Sequence, residues 1–300
     1  MQDTLLLLPD FGLIVIGYVL CRKTALNRSV WDGAERLVYY FLFPCLLFVA
    51  IVRNPIDAST ALPLATGALA VTAIGIALAL ALAHWPGVDA RLHASAAQTA
   101  FRFNSYVALA LADRMGGAPG VAAMALIVSL VVPACNVAAV WPLARQGGQG
   151  YLRELLRNPL IIGTVSGLVF NLTGWTLPEP AMTTLSRIGQ AALPIGLMAV
   201  GAGLQMGALR EAPVLATTFI AIRHALLPLA GIAMALVLGL PPLQQAILVA
   251  FAAMPTASSA YVLAVRMGGN GPFVAGIVTV STLLAMVTLP LALGLLRGVA

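Results

Sequence analysis

Two polar stretches, each inside a long apolar run, hold the residues whose types could do chemistry. They lie at 98–106 and at 254–261, and the second contains Pro255. A proline removes a backbone donor and its ring clashes with the carbonyl one turn earlier, so Pro255 predicts a broken or kinked helix. Neighbouring Asn, Ser and Thr side chains can then bond the freed backbone groups or a ligand. We expect a binding site built from Arg102, Asn104, Ser105, Pro255, Thr256 and Ser258.

Arg102 indicates the charge of the ligand. No other Lys, Arg, Asp or Glu occurs between Arg91 and Asp113, so its guanidinium cannot easily reach the edge of a bilayer. A charge at this depth costs at least about 2.5–3.5 kcal/mol and is a functional candidate. Broken helices also offer half-helix N-termini, whose unpaired N–H groups suit a carboxylate. Bracing of backbone carbonyls at the break is the competing interpretation of Arg102.

Acidic residues are nearly missing from the apolar runs. Asp10 lies near the end of the first run and Asp113 closes the fourth, whereas cation pumps and proton relays usually line their path with carboxylates. An anionic or neutral substrate is therefore favoured. Gln190, Arg223 and His224 are candidates for ion coupling or for support of the site, although His224 more often fits a structural role. Sodium coupling stays open, because neutral oxygens of Asn104, Thr256, Ser258 and Gln190 could bind that ion; no resident metal or cofactor is expected.

The composition requires lipid as the solvent for most of the surface. Hydrophobic residues are 61% of 300 and charged residues 9%, whereas a soluble domain carries about 25% charged residues. A membrane-spanning helix needs about 20 apolar residues, and the chain offers ten such runs. They are 4–21, 34–52, 61–84, 94–114, 119–143, 158–174, 181–206, 213–239, 243–266 and 272–296.

Basic residues in the loops predict the orientation. Ten follow odd-numbered spans, namely Arg22, Lys23, Arg28, Arg36, Arg91, Arg145, Arg153, Arg157, Arg210 and Arg266. Four lie on the other side, namely Arg53, Arg114, Arg187 and Arg297. Because the basic side faces the cytoplasm, we expect an integral protein of the inner (cell) membrane with both termini outside. The basic residues are scattered, so the net charge of +6 does not indicate nucleic acid as a partner.

The two halves of the chain repeat each other. Pro9, Gly17, Pro44 and Pro63 recur 150 positions later, and the tetrapeptide at 114–117 recurs at 266–269. Each half, 1–143 and 158–300, holds five spans around a short cytoplasmic linker at 144–157, where 151–157 could form a small interfacial helix. An odd number of spans inverts the second copy, and inverted repeats are typical of secondary transporters. The predicted fold is all-α, with ten transmembrane helices in two inverted repeats.

Several motifs together resemble the auxin efflux carrier family, which includes plant auxin carriers and bacterial relatives within the larger group of bile-acid sodium symporters. The motifs are Gly17-Tyr18, Phe43-Pro44, Phe101-Arg102-Phe103-Asn104, Asn158-Pro159-Leu160-Ile161, Gly189-Gln190-Ala191-Ala192-Leu193-Pro194, Met254-Pro255-Thr256-Ala257 and Tyr261-Val262-Leu263. The resemblance covers essentially the whole chain. The long cytoplasmic loop of many plant members is missing here, so regulation through that loop is not implied.

The resemblance implies more than the residues do by themselves. Broken helices 4 and 9 would cross at Asn104 and Pro255. Spans 1, 2, 6 and 7 would form a scaffold, often a homodimer interface, while spans 3–5 and 8–10 would form a transport domain that moves by an elevator mechanism. The expected activity is transport of a small organic anion, a carboxylate such as malonate, malate or an auxin-like acid.

Other classes fit less well. A channel could also arise by inverted duplication, and a sodium-coupled symporter of the bile-acid type remains an alternative within the carriers. An intramembrane hydrolase could use Ser258 or Ser259 with His224, but the chain lacks a Gly-x-Ser-x-Gly elbow and a His-Glu-x-x-His motif. We therefore expect a transporter and not an enzyme.

Overall fold

The described part of the protein is built from helices. The computed structural model describes residues 2–53, 58–144, 159–204, 211–257 and 259–299. The helices are α1 Gln2–Lys23, α2 Arg28–Leu37, α3 Phe43–Arg53, α4 Ala58–Ala81, α5 Ala90–Ala96, α6 Gln98–Phe101, α7 Ser105–Ala144, α8 Pro159–Thr173, α9 Glu179–Gln190, α10 Ala192–Ala202, α11 Pro213–Ala221, α12 Leu227–Val237, α13 Pro242–Ala253, α14 Ser259–Arg266 and α15 Gly271–Val299. Within these ranges the only extended pairing is a single bridge, so the predicted all-α class is confirmed.

Six helical segments in the described ranges are long and apolar enough to cross a membrane. They are Arg28–Val52, Ala61–His84, Ser105–Ala139, Glu179–Ala202, Pro213–Val237 and Gly271–Val299. Large apolar side chains such as Leu172 and Val237 are exposed on the surface, which suits a lipid environment. The protein is therefore an integral membrane protein. The predicted interfacial helix at 151–157 and the candidate Ser258 lie outside the described residues.

Three helical runs contain interruptions. The range of α7 contains two helices, which meet at Gly117 (φ 55°, ψ −141°), between the spans predicted at 94–114 and 119–143. Only glycine adopts this backbone region readily. The run at 94–114 is also interrupted between Phe101 and Ser105, and the run at 243–266 between Ala253 and Ser259. The last two interruptions coincide with the polar stretches of the sequence.

The helices fall into two compact units. The first comprises residues 1–62, 109–129 and 150–203, and the second 63–108, 130–149 and 204–300. In the first unit α1 packs on α10, and α3 packs on α8 and α9. In the second unit α13 packs on α12 and α15, and α14 packs on α15.

Glycines bring the helices of the first unit into backbone contact. A Cβ atom at Gly17 of α1 would overlap the backbone of Met198 in α10, and one at Gly201 of α10 would overlap the backbone of Ile14. A Cβ at Gly163 of α8 would lie 2.7 Å from the Pro44 carbonyl oxygen in α3. Small residues at such contacts are typical of helix packing in membranes, where close approach supplies the association energy.

Gly17→Ala tests the close approach of α1 and α10. We expect the midpoint of thermal unfolding in detergent to fall, because overpacking costs about 1–3 kcal/mol and outweighs the gain in helix propensity of roughly 0.5–1 kcal/mol. Gly12→Ala in the same helix is the matched control, since no atom lies within 4 Å of its Cβ position. The control is expected to hold or raise the midpoint; equal midpoints for the two variants would contradict the packing.

Candidate functional site

The two interrupted segments of the second unit pair with each other. Phe103 and Thr256 form an antiparallel bridge. The Asn104 N–H donates to the Pro255 carbonyl at 2.8 Å, and the Ala257 N–H donates to the Arg102 carbonyl at 3.3 Å. Backbone groups that leave a helix inside a membrane need partners within the protein. Each broken segment therefore supplies partners for the other.

Thr256 ties this pairing to two further elements. Its side chain is fully buried, and its hydroxyl donates to the Thr99 carbonyl of α6 at 2.6 Å. Its N–H donates to the Ser281 Oγ of α15 at 2.9 Å. The last four carbonyls of a helix have no N–H donor in a following turn, and the Thr99 carbonyl is one of these four in its half-helix. The Thr256 hydroxyl thus replaces the backbone donor that the Thr99 carbonyl loses at the first break.

Asn104 caps the helix that follows the first break. Its Oδ1 accepts the N–H groups of Tyr106 at 3.0 Å and Val107 at 3.3 Å, which are the groups an N-cap residue satisfies. Ser105 is the first residue of that helix and is half-buried. The Asn104 residue is only 2% exposed, and its buried Nδ2 has no hydrogen-bond partner. Buried donors without an acceptor are rare in native proteins, so this amide is available to a ligand.

Arg102 lies between the two breaks and is half-buried. Its Nη1 donates to Gln98 Oε1 at 2.9 Å, and its Nη2 donates to Asn136 Oδ1 at 3.1 Å and to Ser259 Oγ at 3.2 Å. These three acceptors are neutral, and they orient the guanidinium. Ser259 begins α14, and the positive end of that helix therefore lies beside a cationic side chain.

Arg223 and His224 share a π-helical turn at Ile222–Leu226. Pro228 follows four residues after His224 and has no N–H for the His224 carbonyl, which favours a wider turn here. Arg223 is 1% exposed and donates to the carbonyls of Phe251, Ala252 and Met254. It therefore lies inside the second unit and not at an exposed helix end.

His224 is held by two hydroxyls of α15. Its Nε2 lies 2.8 Å from Ser281 Oγ, and its Nδ1 lies 2.9 Å from Thr288 Oγ1. The Thr288 hydroxyl also reaches the Leu284 carbonyl at 3.1 Å. When that hydroxyl donates to Leu284, the histidine donates from Nδ1 and accepts at Nε2. A neutral imidazole then satisfies every group in this network.

The second unit thus brings together Arg102, Asn104, Ser105, Pro255, Thr256, Arg223 and His224. Gln190 belongs to the first unit, where it is exposed at the end of α9. The two polar stretches of the sequence include Gln98, Thr99 and Ser259, which were not among the predicted site residues, and Asn136 and Ser281 lie outside both stretches. Polar side chains inside apolar helices were the available signal for all five. Among the residues that the structure describes, no group of three His, Cys, Asp or Glu side chains could hold a metal ion.

The apolar helices define an integral membrane protein, and broken helices within it are typical of secondary transporters. The chain belongs to the membrane transport protein family, whose model matches residues 104–293.

Two relatives give the range of this similarity. A protein of Rhizobium meliloti (strain 1021) named "Putative malonate transporter" is 25% identical over 99% of this chain and 97% of its own length. An "Uncharacterized transporter" of Methanothermobacter thermautotrophicus is 31% identical over 48% of each chain. The family and both names confirm the resemblance found in the sequence, and they identify a transporter and not an enzyme.

Thr256→Val tests whether the Thr256 hydroxyl holds the two breaks together. We expect the free energy of unfolding to fall by about 1–3 kcal/mol, because the buried Thr99 carbonyl loses its donor. Thr282→Val is the matched control: Thr282 is equally buried, but its hydroxyl only supplements a helical bond to Val278. The control should change stability by less than about 0.5 kcal/mol in detergent unfolding. A similar loss in both variants would assign the effect to threonine burial in general.

Proposed function

We propose that this protein is a secondary active transporter that moves a small organic anion across the membrane by alternating access. The observation that carries the proposal is the place of Arg102, whose guanidinium donates to Ser259 at the first residue of α14. Two positive groups, the cation and the helix N-terminus, meet at one point in an apolar protein. An anion is the ligand that such a point stabilises.

The Asn104 amide adds a neutral donor to the same broken segment. Its Nδ2 is buried and has no acceptor, whereas its Oδ1 is committed to the cap of α7. A carboxylate offers about four lone-pair sites and accepts from guanidinium and amide donors together. The residues around the crossing therefore favour a carboxylate over a cation or an uncharged solute.

Malonate is the substrate we test first, with malate and an auxin-like acid as its alternatives. The relative from Rhizobium meliloti bears malonate in its name and matches this chain over nearly its whole length. A small dicarboxylate also suits a site with one oriented guanidinium and a nearby amide donor, because each carboxylate can take separate donors.

The proposed architecture has ten spans in two inverted repeats, divided at the linker 144–157. Span 1 packs on span 7 through α1 and α10, and span 6 packs on span 2 through α8 and α3. Span 1 corresponds to span 6 in the repeat, and span 7 corresponds to span 2, so the two pairings are equivalent. Gly17 and Gly167, which match in the repeat, lie at these two contacts, and this correspondence supports the inverted duplication.

The transport cycle we propose is an elevator. Spans 1, 2, 6 and 7 form the scaffold and a homodimer interface, and spans 3–5 and 8–10 carry the substrate. The division of the helices into two compact units supports this proposal, because most of spans 3, 8, 9 and 10 belongs to the unit that holds the crossing. The protein lies in the inner membrane with both termini outside, as the loop charges favour.

Arg102→Ala tests the anion site. Uptake of labelled malonate by proteoliposomes should fall roughly 10- to 100-fold, since a hydrogen bond to a charged group is worth about 1.5–3 kcal/mol. Thermal stabilisation of the purified protein by malonate should be lost in parallel. Arg187→Ala is the matched control, because Arg187 is an exposed arginine on α9, and it should keep both activities.

Two results would overturn parts of this proposal. Normal uptake by a folded Arg102→Ala protein would remove the role of Arg102 in anion binding. Flux that neither saturates nor responds to unlabelled malonate on the opposite side would indicate a channel, since a carrier exchanges substrate across its cycle. Malate and indole-3-acetate are assayed beside malonate. Uptake of one of them without uptake of malonate would mean that the substrate is wrong and the transport mechanism is not.

Pro255→Ala tests the break itself. The new N–H at position 255 can bond the Phe251 carbonyl and extend α13, which would withdraw the segment that pairs with Asn104. We expect uptake to fall at least about tenfold with the protein still folded, the effect of roughly 1.4 kcal/mol. Pro242→Ala is the control, because a proline in the first turn of α13 removes no helical bond. Unchanged uptake in both variants would show that transport does not need the break.

A further inference from the structure

Arg223 is the most deeply buried charged side chain in the second unit's described residues, and all of its hydrogen bonds go to carbonyls. Its Nε donates to Met254 at 2.6 Å, and its Nη2 donates to Phe251 at 2.9 Å and Ala252 at 3.1 Å. Among the described residues no carboxylate lies within ion-pair distance of it. A fixed cation therefore lies at the C-terminal end of α13.

Pro255 explains why these carbonyls need a partner. In a continuous helix the Phe251 carbonyl would accept from the N–H at 255, which proline lacks. The Ala252 carbonyl would accept from the Thr256 N–H, but that group donates to Ser281 Oγ instead. Met254 lies just past the helix end. The Phe251 carbonyl accepts from the Met254 N–H at 3.2 Å instead. The carbonyls of Ala252 and Met254 lack a helical donor, and all three oxygens lie at the negative end of the half-helix dipole.

The first break satisfies its carbonyls without a charge. The Thr99 carbonyl accepts from the Thr256 hydroxyl, and the Phe101 carbonyl accepts from the Cys135 thiol at 3.5 Å. Neutral donors are therefore sufficient to close a broken helix in this protein. The cation at the second break needs a separate reason, because burying a charge is costly even when it is hydrogen-bonded.

Carbonyls at the ends of broken helices are the ligands that hold coupling sodium ions in many secondary transporters. A sodium ion and a guanidinium present the same charge to such oxygens, but the guanidinium is covalently attached and cannot leave. The two cations exclude each other from these three carbonyls.

We infer that Arg223 is a tethered cation that takes the place of a coupling sodium ion at the end of α13. The wild-type protein accordingly binds no sodium at these carbonyls. Removal of the Arg223 guanidinium exposes a latent sodium site. The inference concerns the break alone and does not depend on which anion is transported.

Thermal unfolding of the full-length protein in detergent, without substrate, tests this directly. Sodium chloride replaces choline chloride at constant ionic strength. The wild-type midpoint is expected to stay the same in the two salts. Arg223→Ala is expected to unfold at a lower temperature in choline and to recover saturably with sodium, by at least about 2–4 °C. Added guanidinium at low concentration should give a similar recovery.

Two control variants separate the tethered cation from a general loss of positive charge. Arg223→Lys keeps an ammonium near the carbonyls and should remain insensitive to sodium. Arg187→Ala removes an exposed arginine from the first unit and should unfold identically in both salts. These readouts involve no anion, so a failure of the transport proposal leaves them unchanged.

Three results would overturn the inference. The first is a saturable sodium-specific stabilisation of the wild-type protein. The second is a folded Arg223→Ala protein that sodium does not stabilise. The third is an Arg223→Ala protein that folds neither in choline chloride nor in sodium chloride, because sodium would then not substitute for the guanidinium.

Discussion

The hydrogen bonds between the two broken segments are the constraint on which the second unit depends. The hydrocarbon region of a bilayer offers no water to an open backbone group, and each unsatisfied group costs several kcal/mol. The protein nevertheless opens two helices, at 102–104 and at 254–257. The exchange of N–H and carbonyl bonds across the bridge between Phe103 and Thr256 makes both openings possible. Each break therefore depends on the other for hydrogen-bond partners.

Other polar groups near the bridge bond the backbone groups that the bridge itself leaves without partners. Thr256 bonds a carbonyl of α6 and a hydroxyl of α15, and Asn104 caps α7. Arg223 bonds the carbonyls at the end of α13. The Asn104 Nδ2 is left without a partner, and the Arg102 guanidinium donates to three neutral acceptors. Both side chains are donors, which agrees with the anion proposed as the ligand.

The sequence was sufficient to locate the breaks, because local chemistry determines them. Pro255 cannot donate its backbone nitrogen, and the polar residues around Asn104 stand out within an apolar run. The partners that side chains find in the folded protein could not be predicted from the sequence. The direction of the Arg223 side chain depends on a π-helical turn, and the role of Ser281 depends on its bond from the Thr256 N–H. Gln190 lies on a helix of the first unit, and its part in the site stays a prediction.

Two positive side chains, Arg102 and Arg223, in one compact unit also have an electrical consequence. A membrane potential of 100 mV acts on each elementary charge with about 2.3 kcal/mol across the full field. If the proposed cycle carries this unit through the field, an empty protein moves two positive charges and a protein loaded with a dianion moves none. The potential would then act on the return of the empty protein and not on the loaded step. Voltage would then add to the substrate gradient as a driving force for net flux, through that return step.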